Sequence, residues 1–146
     1  MNEIEILLVE DNPDDLEMTL HALREAKVAN RIQIARDGAE ALDFIFCRGA
    51  FTQRKVESGP KVILLDLKLP KVDGREVLAS IKGDVRTRRI PVIVLTSSKE
   101  QIDVVDSYDL GVNSYIVKPV DFEQFVTAIQ QLGLYWLLFN EPPSLE

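Results

Sequence analysis

Four short, nearly unbroken apolar runs stand in this chain, far enough apart to leave room for a helix between them: Ile4–Val9, Val62–Leu65, Val92–Leu95 and Tyr115–Val117. Runs of this length without alternation suit parallel strands covered on both faces. Arg31–Ala35 (RIQIA) alternates instead, as a strand at a sheet edge does. Between the runs, apolar residues recur at helical spacing: Leu16, Leu20 and Leu23; Leu42, Ile45 and Phe46; Val77, Leu78 and Ile81; Ile102, Val105 and Tyr108; Phe122, Phe125, Val126 and Ile129. Helix starts are marked by Asn12 before Pro13, and by Asp37, Asp73 and Asp121, each followed three residues later by Glu or Gln. Strands alternating with helices predict an α/β domain: a doubly wound, five-stranded parallel sheet with right-handed crossovers and helices on both faces.

A chain of 146 residues suits one domain with one core, here residues 1–146. No apolar run approaches the roughly 18 residues that span a bilayer, so no membrane segment is expected. The start, MNEIEILLVEDNP, has no basic stretch before its apolar run and reads as a first strand rather than a signal peptide. The single cysteine, Cys47, allows neither an internal disulfide nor a multi-cysteine metal site. These features favour a reducing cytoplasm. A net charge of −7 and a pI near 4.8 argue against non-specific nucleic-acid binding. One connection, Gly49–Pro60, exceeds the usual two to six residues and is expected to be exposed.

In a sheet of this kind, chemistry collects beyond the carboxyl ends of the strands. The first strand ends in Glu10-Asp11, the third in Asp66, the fourth in Thr96 and the fifth in Lys118-Pro119. If the first and third strands are neighbours, three carboxylates converge, and their mutual repulsion is relieved most simply by a hard divalent cation such as Mg²⁺. A carboxylate beside that ion can attack phosphorus and form an aspartyl-phosphate. Lys118 can pair with a phosphoryl oxygen and Thr96 can donate its hydroxyl to another. Taken singly, each acidic residue reads as a solvated loop residue or a helix cap, Asp14 and Asp15 as dipole partners of the first helix, Thr96 as a cap and Lys118 as a surface lysine. The specific signal is their joint occurrence at the correct ends of the strands.

LLVEDNPDD, ILLDLKLPKVDGREVL, PVIVLTSS and SYIVKP together resemble the receiver domain of two-component response regulators, in order and over about residues 3–132, with 133–146 as a C-terminal extension. The resemblance implies a flavodoxin-like sheet of order 2-1-3-4-5. It also implies that Asp66 accepts phosphate from a histidine kinase, with Glu10 and Asp11 as an acidic pocket. Mg²⁺ would be held by Asp11, Asp66 and the main-chain carbonyl of Lys68, with Glu10 acting through water. Thr96 and Tyr115 match the family's switch pair, and Lys118 its lysine, followed by a proline whose bond is often cis. Glu10 stands where Asp is usual. GREVL, SYDLGVNSYIVKP and LYWLLFNEPP further resemble the small regulators associated with bacterial phytochromes. Such a protein is a regulatory phospho-acceptor that assists its own phosphorylation and dephosphorylation, rather than an enzyme with a separate substrate.

Two rivals use the same fold. A flavodoxin-like cofactor binder needs a Gly/Ser/Thr-rich phosphate loop after the first strand, where this chain has Glu-Asp-Asn-Pro-Asp-Asp, and no P-loop occurs. A phosphorylation-independent pseudo-receiver, acting only as a binding module, would lack part of the acidic pair, the acceptor or the lysine. His21 and Cys47 are read as structural or surface residues, and Asp103, Asp106 and Asp109 as a solvated helix face or a docking surface. The fifth helix is expected to run on into Leu134–Phe139, apolar on every side, and so to form a homodimer through the C-terminal helix and tail. Output is expected through protein contact or onward phosphotransfer.

Overall fold

The computed structural model describes residues 5–28, 31–107 and 109–134. Among these, strands β1 (Ile6–Val9), β2 (Ile32–Ala35), β3 (Val62–Asp66), β4 (Val92–Thr96) and β5 (Ser114–Val117) alternate with helices α1 (Pro13–Glu25), α2 (Gly38–Ile45), α3 (Gly74–Gly83), α4 (Lys99–Ser107) and α5 (Phe122–Gln131). All pairings are parallel and the order is β2-β1-β3-β4-β5, the expected flavodoxin-like topology. Every residue of β1, β3 and β4 is buried, as their unbroken apolar runs require. The alternating strand β2 is at an edge, with Ile32, Gln33 and Ile34 only half-buried.

The sheet feeds two cores because successive side chains point to opposite faces. Ile6, Leu8, Leu64 and Leu95 meet Leu16 and Leu23 of α1 and Phe125 and Ile129 of α5. Leu7, Val9, Ile63, Leu65 and Val94 meet Phe44 of α2, Val77, Leu78 and Ile81 of α3 and Val105 of α4. Burial of each large side chain stabilises the fold by about 1.5–3 kcal/mol.

Helix starts follow the local chemistry. The Asn12 carboxamide accepts from the amides of Asp14 and Asp15, with Pro13 at the first helical position. Asp37 accepts from the Glu40 amide at 2.7 Å and Asp121 from the Gln124 amide at 2.8 Å. Asp73 departs from the expected spacing, accepting from the Arg75 amide at 3.3 Å.

The long connection after α2 is largely exposed, as expected, but it is anchored to the domain. It holds two 3₁₀ turns, at Gly49–Phe51 and Val56–Ser58. The Phe51 ring packs edge-on against Phe44, centroids 5.1 Å apart. The Arg54 guanidinium stacks 3.7 Å from the Phe44 ring centroid and donates to the carbonyls of Phe44 and Ser58. One cation thus ties the insertion to the end of α2.

The fifth helix stops short of the tail. α5 ends at Gln131, Gly133 has φ +71, and the Leu134 amide returns to the Ile129 carbonyl at 3.1 Å. A glycine in left-handed backbone with that backward bond closes a helix, so it does not run on into Leu134 as expected. Leu134 is buried against the α1–α5 core. The rest of the apolar stretch, from Tyr135 to Phe139, lies outside the described residues.

Candidate functional site

The chain brings its candidate residues together where β1, β3, β4 and β5 end. Asp66 is the last residue of β3, and β1 beside it ends at Val9, so Glu10 and Asp11 follow at the same level. Thr96 closes β4, and the Lys118 amide, just past β5, donates to the Thr96 carbonyl at 2.7 Å. The Lys118-Pro119 bond is cis. The loop after Asp66 is held by two close approaches. A Cβ on Gly38 would lie 1.9 Å from the Val72 carbonyl oxygen, and one on Gly74 would lie 2.5 Å from that of Asp66. Glycine is the residue that lets these backbones touch.

The expected carboxylate trio converges. One oxygen each from Glu10, Asp11 and Asp66 lies within 4.8 Å of the others. Glu10 is 0% exposed and Asp66 6%, while Asp11 faces solvent. Lys118 Nζ lies 2.9 Å from Glu10 Oε1, 3.2 Å from Asp66 Oδ2 and 3.0 Å from Asp15 Oδ2. Three carboxylates thus surround one ammonium, with Asp11 beside two of them. Burial, followed by the neighbouring Asp66 carboxylate, pushes the Glu10 carboxyl up to about 7, against the opposing pull of Lys118. Burial by itself would lower Lys118, but Glu10, Asp66 and Asp15 outweigh it and hold the ammonium above the ordinary lysine value. An all-oxygen donor set with surplus negative charge fits a hard divalent cation.

The other expected residues are placed less uniformly. The exposed Lys68 donates its amide to Asp66 Oδ1 at 3.4 Å. The Thr96 hydroxyl, 1% exposed, has no hydrogen-bond partner among the described residues. Tyr115 is half-buried and gives its hydroxyl to Asp106 of α4. Burial, then that carboxylate, raises the phenol above its ordinary value. His21 is exposed and pairs with Glu25 at 2.9 Å, and Cys47 is a free thiol, as expected of residues outside the site.

Two contacts were not anticipated. Asp15 serves Lys118 as well as the helix dipole. Asp106, expected in a solvated helix face or a docking surface, engages Tyr115 instead, a link that depends on how α4 lies against β5.

Residues 6–130 match the response regulator receiver domain family. Bacteriophytochrome response regulator RtBRR is 55% identical, with a TM-score of 0.87, over 97% of this chain and 84% of that one. Response regulator Rcp1 of Synechocystis sp. is 40% identical over 90% of this chain and 88% of its own length. The Mn²⁺-bound form of Rcp1 is 37% identical with a TM-score of 0.70, over 95% and 96% of the two chains. The phosphorylated cyanobacterial phytochrome response regulator RcpA is 40% identical with a TM-score of 0.73, over 97% and 99%. The narrower resemblance to phytochrome-associated regulators therefore holds alongside the broader one. The chain belongs to the response regulator receiver domain family, the phosphorylation-activated switches of two-component signalling.

Proposed function

We propose that Asp66 is the phospho-acceptor, taking a phosphoryl group from the phosphohistidine of a sensor kinase. An Asp66 oxygen attacks phosphorus, the phosphorus–nitrogen bond breaks, and the departing imidazole keeps the electron pair and takes up a proton. The observation that carries this reading is a buried carboxylate at a strand end with Lys118 Nζ at 3.2 Å and two further acids beside it.

Asp11, Asp66 and the Lys68 carbonyl would hold Mg²⁺, with Glu10 acting through water. When bound, the ion supplies the charge neutralisation that lets an anionic donor approach anionic Asp66. Lys118 pairs with a phosphoryl oxygen, and the unpartnered Thr96 hydroxyl turns to donate to another. Tyr115 follows Thr96 inward and reshapes the surface of α4 and β5, a shift between two states of one fold. In this way the chain assists its own phosphorylation and dephosphorylation.

The receiver domain works in the cytoplasm without binding nucleic acid, and its output is protein contact or onward phosphotransfer. Its kinase is of the phytochrome type, supported by the likeness to RtBRR. Self-association as a homodimer through the C-terminal end rests on the apolar sequence Tyr135–Phe139. Light scattering on the full chain and on a truncation after Leu134 tests it, since loss of a dimer on truncation assigns the tail.

Mass spectrometry after incubation with a small phosphodonor tests the acceptor. Labelling is expected with Mg²⁺ and absent with chelator or in Asp66→Asn. Undiminished labelling of Asp66→Asn overturns the assignment. No labelling of the native chain under any condition favours a phosphorylation-independent binding module.

A further inference from the structure

The register of β4 and β5 sets Val94 beside Tyr115 and Thr96 beside Val117. Alternation then puts Thr96 and Tyr115 on one face of the sheet, diagonal to each other, the face covered by α2, α3 and α4. The two hydroxyls are satisfied unequally. Thr96 Oγ1 is buried without a partner, whereas the Tyr115 hydroxyl is engaged by Asp106 of α4. The Tyr115 ring packs against the second core, so its hydroxyl is the end left to choose a partner.

We propose that Asp106 is a positioning residue that latches Tyr115 in the unphosphorylated arrangement. The inference rests on the switch reading of Thr96 and Tyr115. A phenol donating to a carboxylate makes a charge-assisted bond, stronger than the neutral one available elsewhere. Movement of Tyr115 toward the space beside Thr96 requires that bond to break. Asp106 therefore weights the equilibrium against the switched state, and raises the phosphoryl occupancy needed to reach it. A ligand at Asp66 that requires the switched state has its affinity reduced to the fraction of molecules already unlatched.

Beryllofluoride, a phosphoryl mimic, reports this equilibrium as its affinity in the presence of Mg²⁺, read by fluorine NMR on the full chain. Asp106→Ala is expected to bind it about three- to tenfold more tightly. Asp106→Asn should fall between, because the amide oxygen still accepts but carries no charge. The decisive comparison uses Tyr115→Phe, which lacks the hydroxyl. In that background Asp106→Ala is expected to change nothing further. Equal or weaker binding by Asp106→Ala overturns the latch. So does the same tightening with and without the hydroxyl, which would mean that Asp106 acts through the stability of α4. Failure of the native chain to bind beryllofluoride overturns the Asp66 reading itself, and the latch with it.

Discussion

Lys118 Nζ lies 3.2 Å from Asp66 Oδ2 although their strands are not neighbours, β4 standing between β3 and β5. The lysine reaches across the end of β4, where Thr96 stops, and meets Glu10 and Asp15 on the far side. A single side chain therefore compensates charge contributed by β1, α1 and β3. The site has one cation where several anions demand more, which makes it responsive to a metal ion and to an incoming phosphoryl group.

Removal of that cation leaves buried carboxylates uncompensated. Lys118→Ala should lose about 3 kcal/mol of stability at alkaline pH in chelator, read by urea denaturation, and recover part of it with Mg²⁺. An unchanged midpoint would show that the ion pairs contribute nothing net. Lys118→Arg keeps the charge but replaces a compact ammonium with a planar fork, so it should restore stability better than phosphorylation rate.

The Glu10 carboxyl is raised from 4.5 to about 7, with burial as the main cause. A raised carboxyl pKa favours the protonated folded state. Its stabilising contribution is fully present below the unfolded value and is lost as pH rises through about 7. The Lys118 shift lies above this window and does not offset it. In chelator, Glu10→Gln should match the native chain near pH 4 and exceed it by about 1–3 kcal/mol near pH 8. A constant difference across that range would contradict the assignment.

The unpartnered Thr96 hydroxyl is a cost carried by the unphosphorylated state. Thr96→Val keeps the shape and removes the buried polar group, so it should stabilise the chain by about 1–2 kcal/mol. The same variant should still be labelled on Asp66 while the change in partner affinity on phosphorylation is blunted. Destabilisation by the valine would mean that the hydroxyl has a partner.

Gly74 lets α3 begin against the backbone at the end of β3. A Cβ there would lie 2.5 Å from the Asp66 carbonyl oxygen and 2.7 Å from Leu67 Cα. Gly74→Ala should cost about 1–3 kcal/mol through overpacking. It should also slow labelling of Asp66, because the loop carrying Lys68 has to shift. Thermal denaturation and a labelling time course check the two effects separately.

The sequence by itself determined whatever depends on near neighbours or on period. Unbroken apolar runs specify strands buried on both faces, and β2 declared its edge position by alternating. Asn12, Asp37 and Asp121 announced their helices because a cap needs only the next few amides. The candidate site residues were legible because parallel strands joined by right-handed crossovers deliver their carboxyl ends to one side, which gathers Glu10, Asp11, Asp66, Thr96 and Lys118. Gly133 is a local helix-stop signal, which outweighs the apolar residue after it. Only the tertiary structure decided the rest. Lys118 and Asp15 are 103 residues apart in the chain, and no local rule pairs them. The pairing of Asp106 with Tyr115, the close approaches at Gly38 and Gly74, the Arg54 stack on Phe44 and the unsatisfied Thr96 hydroxyl follow from how helices and loops settle on the sheet. That settling is decided by packing among residues distant in sequence, which neither periodicity nor capping encodes.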